Sequence, residues 1–204
     1  MASNNIRSPL SYHFLMINLL ILLFISLLHT ALATTSSSQT DNANYIEIAC
    51  NSTTYPQECY KSLLPYTSKI KANPQKLCRT SLSITLKAAK NASSTVSNIL
   101  KQKGLTRLEA AIMKDCIVNI KDSLAELMQS LDAMDHLSGL DKEFQIDNIK
   151  TWLSAALTDE NTCMDGFEGE VISTIVKQKI RNIVLKIARL TSNSLSLINS
   201  FTYY

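Results

Sequence analysis

The sequence is short of the two residues that chain reversals need most. Only 4 of its 204 residues are glycine and 4 are proline, against the roughly 14 and 10 that average composition gives at this length. The shortage argues against a fold of many short strands. A phosphate-binding loop is disfavoured too, because neither G-x-G nor G-x-x-x-x-G-K occurs. No proline follows Pro74, and so long a proline-free run predicts long helices.

The N-terminus has the three parts of a secretory signal peptide. Arg7 supplies the positive charge, Phe14 to Leu28 is a largely apolar run, and Ala31-Leu32-Ala33 is a small-x-small cleavage pattern. A membrane anchor is disfavoured because the run is shorter than the roughly 20 residues of a span. We therefore predict a signal peptide at residues 1–33, a flexible Ser/Thr-rich lead-in at residues 34–44 and one secreted domain at residues 45–204.

Charge and histidine are both scarce after residue 33. The remaining chain carries 19 Lys and Arg against 17 Asp and Glu, a balance too small to predict a nucleic-acid or membrane partner. His136 is its only histidine, so a His-based metal site or a Ser-His-Asp unit lacks its parts. Acid pairs such as Asp132 and Asp135 are interpreted as solvated surface. We predict no catalytic residue, no metal and no cofactor, which leaves binding as the function.

Cysteine is the one reactive residue in good supply, and all of it lies after residue 33. The five are Cys50, Cys59, Cys78, Cys116 and Cys163. In a secreted chain most should be paired with one left over, yet two bridges among five cysteines allow 15 arrangements, which spacing does not decide. Asn51 and Asn91 each begin an N-glycosylation sequon, a weak pattern that agrees with secretion.

Capping signals divide residues 45–200 into a helical hairpin and a bundle. The turn before Pro56 separates two short helices, so a hairpin is predicted at residues 45–70. Asn73 with Pro74, and Thr106 with Glu109, are helix-start signals. Four helices follow, at about 74–103, 107–136, 147–163 and 170–200. The apolar line of the second of these is Leu108, Ile112, Cys116, Ile120, Leu124, Leu127, Leu131 and Met134. The predicted fold is all-α, an antiparallel up-down four-helix bundle at residues 73–200.

Several segments resemble the plant pectin methylesterase and invertase inhibitor family. They are the Cys50-x8-Cys59 spacing, the Asp115-Cys116 pair, the Thr151-Trp152-Leu153-Ser154-Ala155-Ala156-Leu157-Thr158 run, its continuation Asn161-Thr162-Cys163-Met164-Asp165-Gly166-Phe167, and Leu190 to Asn199. The resemblance covers residues 45 to about 200, and residues 152–167 are its specific part. It implies a hairpin before a bundle, secretion to the cell wall, and disulfides Cys50–Cys59 and Cys116–Cys163. Cys78 would then be either a small buried hydrophobe or a link to a second copy.

The resemblance also implies a protein partner. Family members inhibit pectin methylesterase, in a one-to-one complex that covers the substrate cleft, or acid invertase. Invertase inhibitors share a Pro-Lys-Phe tripeptide, which this chain lacks, so the esterase is the favoured target. More distant alternatives are a pectin methylesterase pro-region, which would need a catalytic domain downstream, and a helical carrier with a small-molecule cavity.

No motif assigns the residues that would contact the enzyme. Outward polar positions on the first two long helices are the candidates, namely Lys87, Lys90, Lys121 and Asp122. The alternative for each is ordinary solvated surface, because exposed charges are the norm. A glycan on Asn91 would mask part of the face that carries the first two lysines.

Overall fold

The computed structural model describes the backbone of residues 9–201 and the side chains of residues 13–25 and 39–201. The chain divides into two units, Met1–Asp41 and Asn42–Tyr204. Helix α1, Pro9–Asn51, supplies the described part of the first unit and the start of the second. Arg7 and the side chains of the expected cleavage site lie outside the described residues. None of the described helices combines the length and apolarity that spanning a bilayer requires.

The second half of α1 differs from the sequence prediction at one place. Residues 34–44 lie inside this helix, whereas their Ser/Thr-rich composition predicted a flexible lead-in. Helix propagation adds one hydrogen bond for each residue fixed, so a polar segment between two helical segments readily continues the helix. Upstream, the described side chains of the apolar run, at residues 13–25, are all exposed, and Phe24 is 70% exposed.

The hairpin consists of the end of α1 and three short elements. These are α2, Pro56–Leu63, a 3-10 turn, Leu64–Tyr66, and α3, Thr67–Ile70. The second helix was expected to reach Tyr66, but Pro65 lacks the N–H that would continue the α-helical hydrogen bonds, which agrees with the end of α2 at Leu63. Leu64 keeps helical backbone, and the chain continues as the 3-10 turn. Helix α3 ends where Lys71 and Ala72 adopt positive φ, and this turn leads directly into the bundle.

The bundle has four helices, each in contact with two neighbours around a ring. They are α4, Pro74–Leu100, α5, Arg107–Asp135, α6, Lys142–Asp165, and α7, Thr174–Phe201. Cross-helix bonds show that neighbours are antiparallel: Arg79 near the start of α4 pairs with Asp135 at the end of α5, and Ser81 of α4 bonds Ser194 near the end of α7. The predicted all-α bundle is therefore confirmed in its main features.

Both predicted helix starts are present, while several boundaries differ. Asn73 Oδ1 accepts from the Lys76 amide, and Thr106 with Glu109 forms the reciprocal capping box. Helix α6 begins at residue 142, five residues before the expected start, because a 3-10 turn at Gly139–Asp141 leads straight into it. Helix α4 ends three residues before its expected end, and helix α7 begins four residues after its expected start.

The core is formed by one apolar stripe from each bundle helix. On α5 the expected line is partly wrong: Leu108 is 42% exposed, while Met113 and Ile117 are buried. Two apolar lines one position apart compete on this helix, and the packing of α4 and α6 selects between them. On α6 the predicted positions Ile149, Leu153, Ala156 and Cys163 are all buried.

Two disulfides tie the chain together in the pairing that the resemblance implies. Cys50 bonds Cys59 within the hairpin, and Cys116 of α5 bonds Cys163 of α6. Cys78 is free and only 2% exposed, with Sγ 3.5 Å from the Leu197 carbonyl oxygen. Burial raises the pKa of this thiol to about 12. A buried, protonated thiol behaves as a small hydrophobe and disfavours the link to a second copy.

Candidate functional site

The four interface candidates from the sequence are all exposed, and the structure places Lys87 and Asp122 in two different regions. Lys87 borders a groove between α4, α7 and the hairpin, and Lys90 is one helical turn further along α4. Asp122 instead lies beside Glu126 and Asp159, where α5 faces α6, and Lys121 precedes it on α5. Lys87 and Asp122 therefore belong to two different candidate regions.

The first region is a groove that we call the basic groove. Its volume is about 570 Å³, and a lysine comes to it from each bordering element: Lys61 from α2, Lys87 from α4 and Lys186 from α7. All three lysines are exposed. Its other lining residues include Glu58, Tyr66, Ile84, Asn91 and Leu190. Sequence reasoning found Lys87 but not this convergence, because the contributing elements are far apart along the chain.

The second region is a group of acids that we call the carboxyl cluster, made of Asp122, Glu126, Asp159 and Glu160. Partial burial, and then the charge of Asp159, raise the pKa of Glu126 to about 7. Burial and the charge of Asp122 raise the pKa of Asp159, while a hydrogen bond from Glu126 opposes that rise. Near neutral pH Glu126 therefore retains a proton for much of the time.

Glu160 is the most buried member of the cluster and joins three helices. Its side chain is 0% exposed, and its Oε1 accepts hydrogen bonds from Ser123 Oγ of α5 at 2.8 Å and Thr191 Oγ1 of α7 at 2.9 Å. Burial raises its pKa to about 8; the two hydroxyls oppose the rise, and Asp159 and Glu126 add to it. We call Glu160 with these hydroxyls the carboxyl anchor.

Sequence reasoning missed Glu160 although a signal was present. Position 160 continues the apolar line of α6, because Ala156 precedes it by four residues and Cys163 follows by three. A carboxylate on such a line is either an error in the helical phase or a buried acid kept neutral by its surroundings. The structure shows the second case.

A buried amide fixes the hairpin to α7. Asn193 is 2% exposed; its Oδ1 accepts from the Tyr55 amide at 2.9 Å, and its Nδ2 donates to the Tyr55 carbonyl at 3.0 Å. We call this pair the hairpin anchor. Around it Arg189 bonds Glu58 at 3.0 Å and lies 5.3 Å from the centroid of the Tyr55 ring. The anchor falls within the 190–199 segment of the resemblance and explains what that segment does.

Glu109 links two loops besides capping α5. Its Oε2 accepts from the Thr106 amide and its Oε1 from the Ser173 amide, both at 2.8 Å. These two backbone donors hold the pKa of the carboxyl below its usual range. The capping role was predicted from the sequence. The bond to the loop before α7 was not, because it joins residues that are 64 apart along the chain. The end of the bundle that carries these two loops is thereby fixed.

His136 contacts the residue one helical turn before it. His136 lies at the end of α5, where Nδ1 is 2.8 Å from the Asp132 carbonyl oxygen and 3.5 Å from the Asp132 carboxylate. Within residues 13–25 and 39–201, no three His, Cys, Asp or Glu side chains are grouped so that they could hold a metal ion. Fold and surface together define a disulfide-braced helical scaffold with two charged faces.

Comparison with known proteins places this scaffold in a family. Residues 44–197 match the family described as plant invertase/pectin methylesterase inhibitor. The chain is 45% identical over 172 residues to pectinesterase inhibitor 10 of Arabidopsis thaliana; the match covers 83% of this chain and 54% of the relative, so the chain spans about half of that relative. It is 40% identical over 175 residues to pectinesterase inhibitor 4 of the same plant, over 84% of this chain and 88% of the relative.

A solved structure shows the same fold. It is a crystal structure of a mutant form of a pectin methylesterase inhibitor from Arabidopsis, with a TM-score of 0.60 and 20% identity, covering 74% of this chain and 92% of that one. The family match extends over most of the chain and agrees with the relatives. This chain therefore belongs to the plant invertase/pectin methylesterase inhibitor family.

Proposed function

We propose that this protein is a secreted inhibitor of pectin methylesterase that forms a one-to-one complex and covers the enzyme's substrate cleft. The observation that carries the proposal is the family match over residues 44–197, together with relatives named pectinesterase inhibitors at 40–45% identity. Secretion is supported by the N-terminal apolar run and by two disulfides, which persist in oxidising compartments. On this proposal the inhibitor performs no chemistry of its own.

The fold is well suited to inhibition by occlusion. Binding loses less free energy to conformational ordering when the binding surface is already rigid. Here α5 and α6 are joined by Cys116–Cys163 and by the carboxyl anchor, and the hairpin is held by Cys50–Cys59 and Asn193. A surface braced in this way can cover a cleft without reorganising on contact.

We assign the enzyme contact to the α5 face that carries Lys121 and Asp122. Both residues are exposed, and they lie on α5, which the Cys116–Cys163 disulfide joins to α6. The Lys121→Glu/Asp122→Lys double variant reverses both charges and leaves the net charge unchanged. We expect it to raise the inhibition constant at least tenfold, since like charges across an interface are repulsive. Helix content should stay the same and the thermal midpoint should not fall, because Asp122→Lys removes a charge that repels Asp159 and Glu126.

The Lys87→Glu/Lys90→Glu variant tests the other face in the same assay. If the assignment is correct, it weakens inhibition much less than the α5 variant does. If the α4 variant alone weakens inhibition, the enzyme binds at the α4 side instead. Size-exclusion chromatography of a mixture with the esterase checks the stoichiometry, and a complex other than one-to-one would contradict the proposal.

Acid invertase is the alternative target, because the family description names inhibitors of both enzymes. Two observations favour the esterase. The relatives at 40–45% identity are named pectinesterase inhibitors, and this chain has no Pro-Lys-Phe tripeptide. Residual activity of each enzyme in the presence of the inhibitor separates the two targets.

A further inference from the structure

The basic groove has the size and the wall chemistry of a ligand site. Its volume of about 570 Å³ falls within the roughly 300–1,000 Å³ of small-molecule sites. It is open to solvent and lies among three separately placed elements, α2, α4 and α7. The α5 face proposed for the enzyme does not contribute to its lining, so both partners could be bound at once.

Positive charge in the groove is not compensated by the protein. Within the described part of the chain, Lys61, Lys87 and Lys186 take part in none of the ion pairs. Glu58 is the only acid among the lining residues, and its Oε1 already bonds Arg189 at 3.0 Å. Three unpaired cations converge here in a chain whose whole formal net charge is +3, so the groove favours an anion.

The groove also offers contacts that a bare anion would not use. Tyr66, Ile84 and Leu190 are half-buried and give it an apolar floor. Glu58 borders the groove with its side chain 42% exposed, and Arg189 occupies one of its carboxylate lone pairs. A carboxylate has about four acceptor positions, so a ligand that brings an O–H donor can still bond to it. The matching ligand carries carboxylates, hydroxyl groups and apolar ring faces together.

We infer that the basic groove binds a short oligosaccharide of uronic acids, of the galacturonate type that removal of methyl esters from pectin leaves behind. Carboxylates would pair with the three lysines, a hydroxyl would donate to the Glu58 carboxylate, and a sugar ring would pack on Tyr66. The identity of the saccharide rests on the proposed function. The inhibitor would then be retained where its target enzyme has already acted. An acidic peptide supplies the charges but not the flat ring faces, and it serves as a competing ligand in the test.

The test is a calorimetric titration of the purified protein with trigalacturonate. The protein is made without N-glycans, because Asn91 lines the groove. We expect saturable binding that weakens as sodium chloride is raised, and no binding of the fully methyl-esterified trimer. Removing all three groove charges should lower the association constant about tenfold or more, since each exposed pair contributes modestly. That variant is K61Q/K87Q/K186Q, and its matched control, with three exposed lysines removed elsewhere, is K101Q/K103Q/K114Q.

Each outcome decides the inference. It is overturned if trigalacturonate does not bind at millimolar concentration, if the esterified trimer binds equally well, if both lysine variants lose affinity alike, or if triglutamate binds more tightly. Glu58→Gln, which weakens the acceptor and the pair with Arg189, should reduce binding of the trimer while triglutamate affinity rises or stays constant. Esterase inhibition is measured separately on the same samples. Intact inhibition without saccharide binding refutes the groove assignment alone, whereas saccharide binding without inhibition refutes the proposed function alone.

Discussion

Two buried polar anchors on α7, only two residues apart, hold different parts of the molecule by different chemistry. Asn193 fixes the hairpin through the backbone groups of Tyr55, and its amide has no charge to lose or gain. Thr191 instead contributes to the carboxyl anchor, where Glu160 links α5, α6 and α7 and keeps its neutral form because it is buried. Each region also contains one disulfide. One helix thus provides a pH-independent attachment and a pH-dependent one.

The largest expected difference between the two regions comes from their disulfides. The Cys116–Cys163 bridge spans 47 residues and Cys50–Cys59 spans 9. In the chain-entropy model, C116S/C163S should lower the free energy of unfolding by about 4 kcal/mol and C50S/C59S by about 2.5–3 kcal/mol. Urea unfolding at fixed pH measures both. A hairpin variant less stable than the α5–α6 variant would show that the hairpin, not the bundle, limits stability.

The next largest effect is the pH dependence of the carboxyl anchor. Above pH 4.5 the unfolded chain releases the Glu160 proton, while the folded chain keeps it until about pH 8. The free energy of unfolding should therefore fall as the pH rises through this window, by about 3 kcal/mol between pH 4.5 and pH 7. Glu160→Gln mimics the protonated acid, so it should match the parent protein at pH 4 and be more stable at pH 8.

Urea unfolding of the two proteins across pH 4 to 8 makes this comparison. In Glu160→Gln the free energy of unfolding should still fall slightly as the pH rises, because the pKa of Glu126 is also raised. The double variant E126Q/E160Q should remove most of this remaining pH dependence. Parallel profiles for the parent protein and Glu160→Gln would contradict the assignment of the buried proton.

The hairpin anchor should give a smaller effect that does not depend on pH. Asn193→Ala leaves the amide and carbonyl of Tyr55 without their partner. This should lower the free energy of unfolding by about 2 kcal/mol. Asn193→Asp keeps the acceptor for the Tyr55 amide but places an acid against the Tyr55 carbonyl, so its stability should rise as the pH falls. This variant converts the neutral anchor into a titrating one. Amide hydrogen exchange at residues 54–60 reports release of the hairpin, and pH-independent behaviour of Asn193→Asp would contradict the bonding described here.

What the sequence could predict depended on how local each interaction is. Asn73 and Thr106 cap their helices through residues three positions away, so composition and spacing were sufficient. Tyr55 and Asn193 are 138 residues apart, and nothing near either residue identifies the other. Glu160 was missed for a different reason: acids were assigned to the surface, although its position on the α6 stripe was visible. Family resemblance located these segments without explaining their bonds.

The smallest expected effect concerns the surface of the hairpin region. Arg189 and Glu58 form an ion pair in which both side chains are 42% exposed. Exposed pairs contribute little, so Arg189→Gln should lower the free energy of unfolding by less than about 1 kcal/mol. The deficit should shrink further in 0.5 M salt. A loss as large as that of Asn193→Ala would show that the hairpin is held by charge rather than by the buried amide.

The most direct test of the account is a titration of enzyme activity. A fixed concentration of plant pectin methylesterase, and in parallel an acid invertase, is mixed with increasing amounts of the purified protein at mildly acidic pH. We expect esterase activity to fall to a minimum at one equivalent while invertase activity is unchanged. Undiminished esterase activity, or loss of activity in the invertase alone, would contradict the proposal that this helical scaffold inhibits pectin methylesterase.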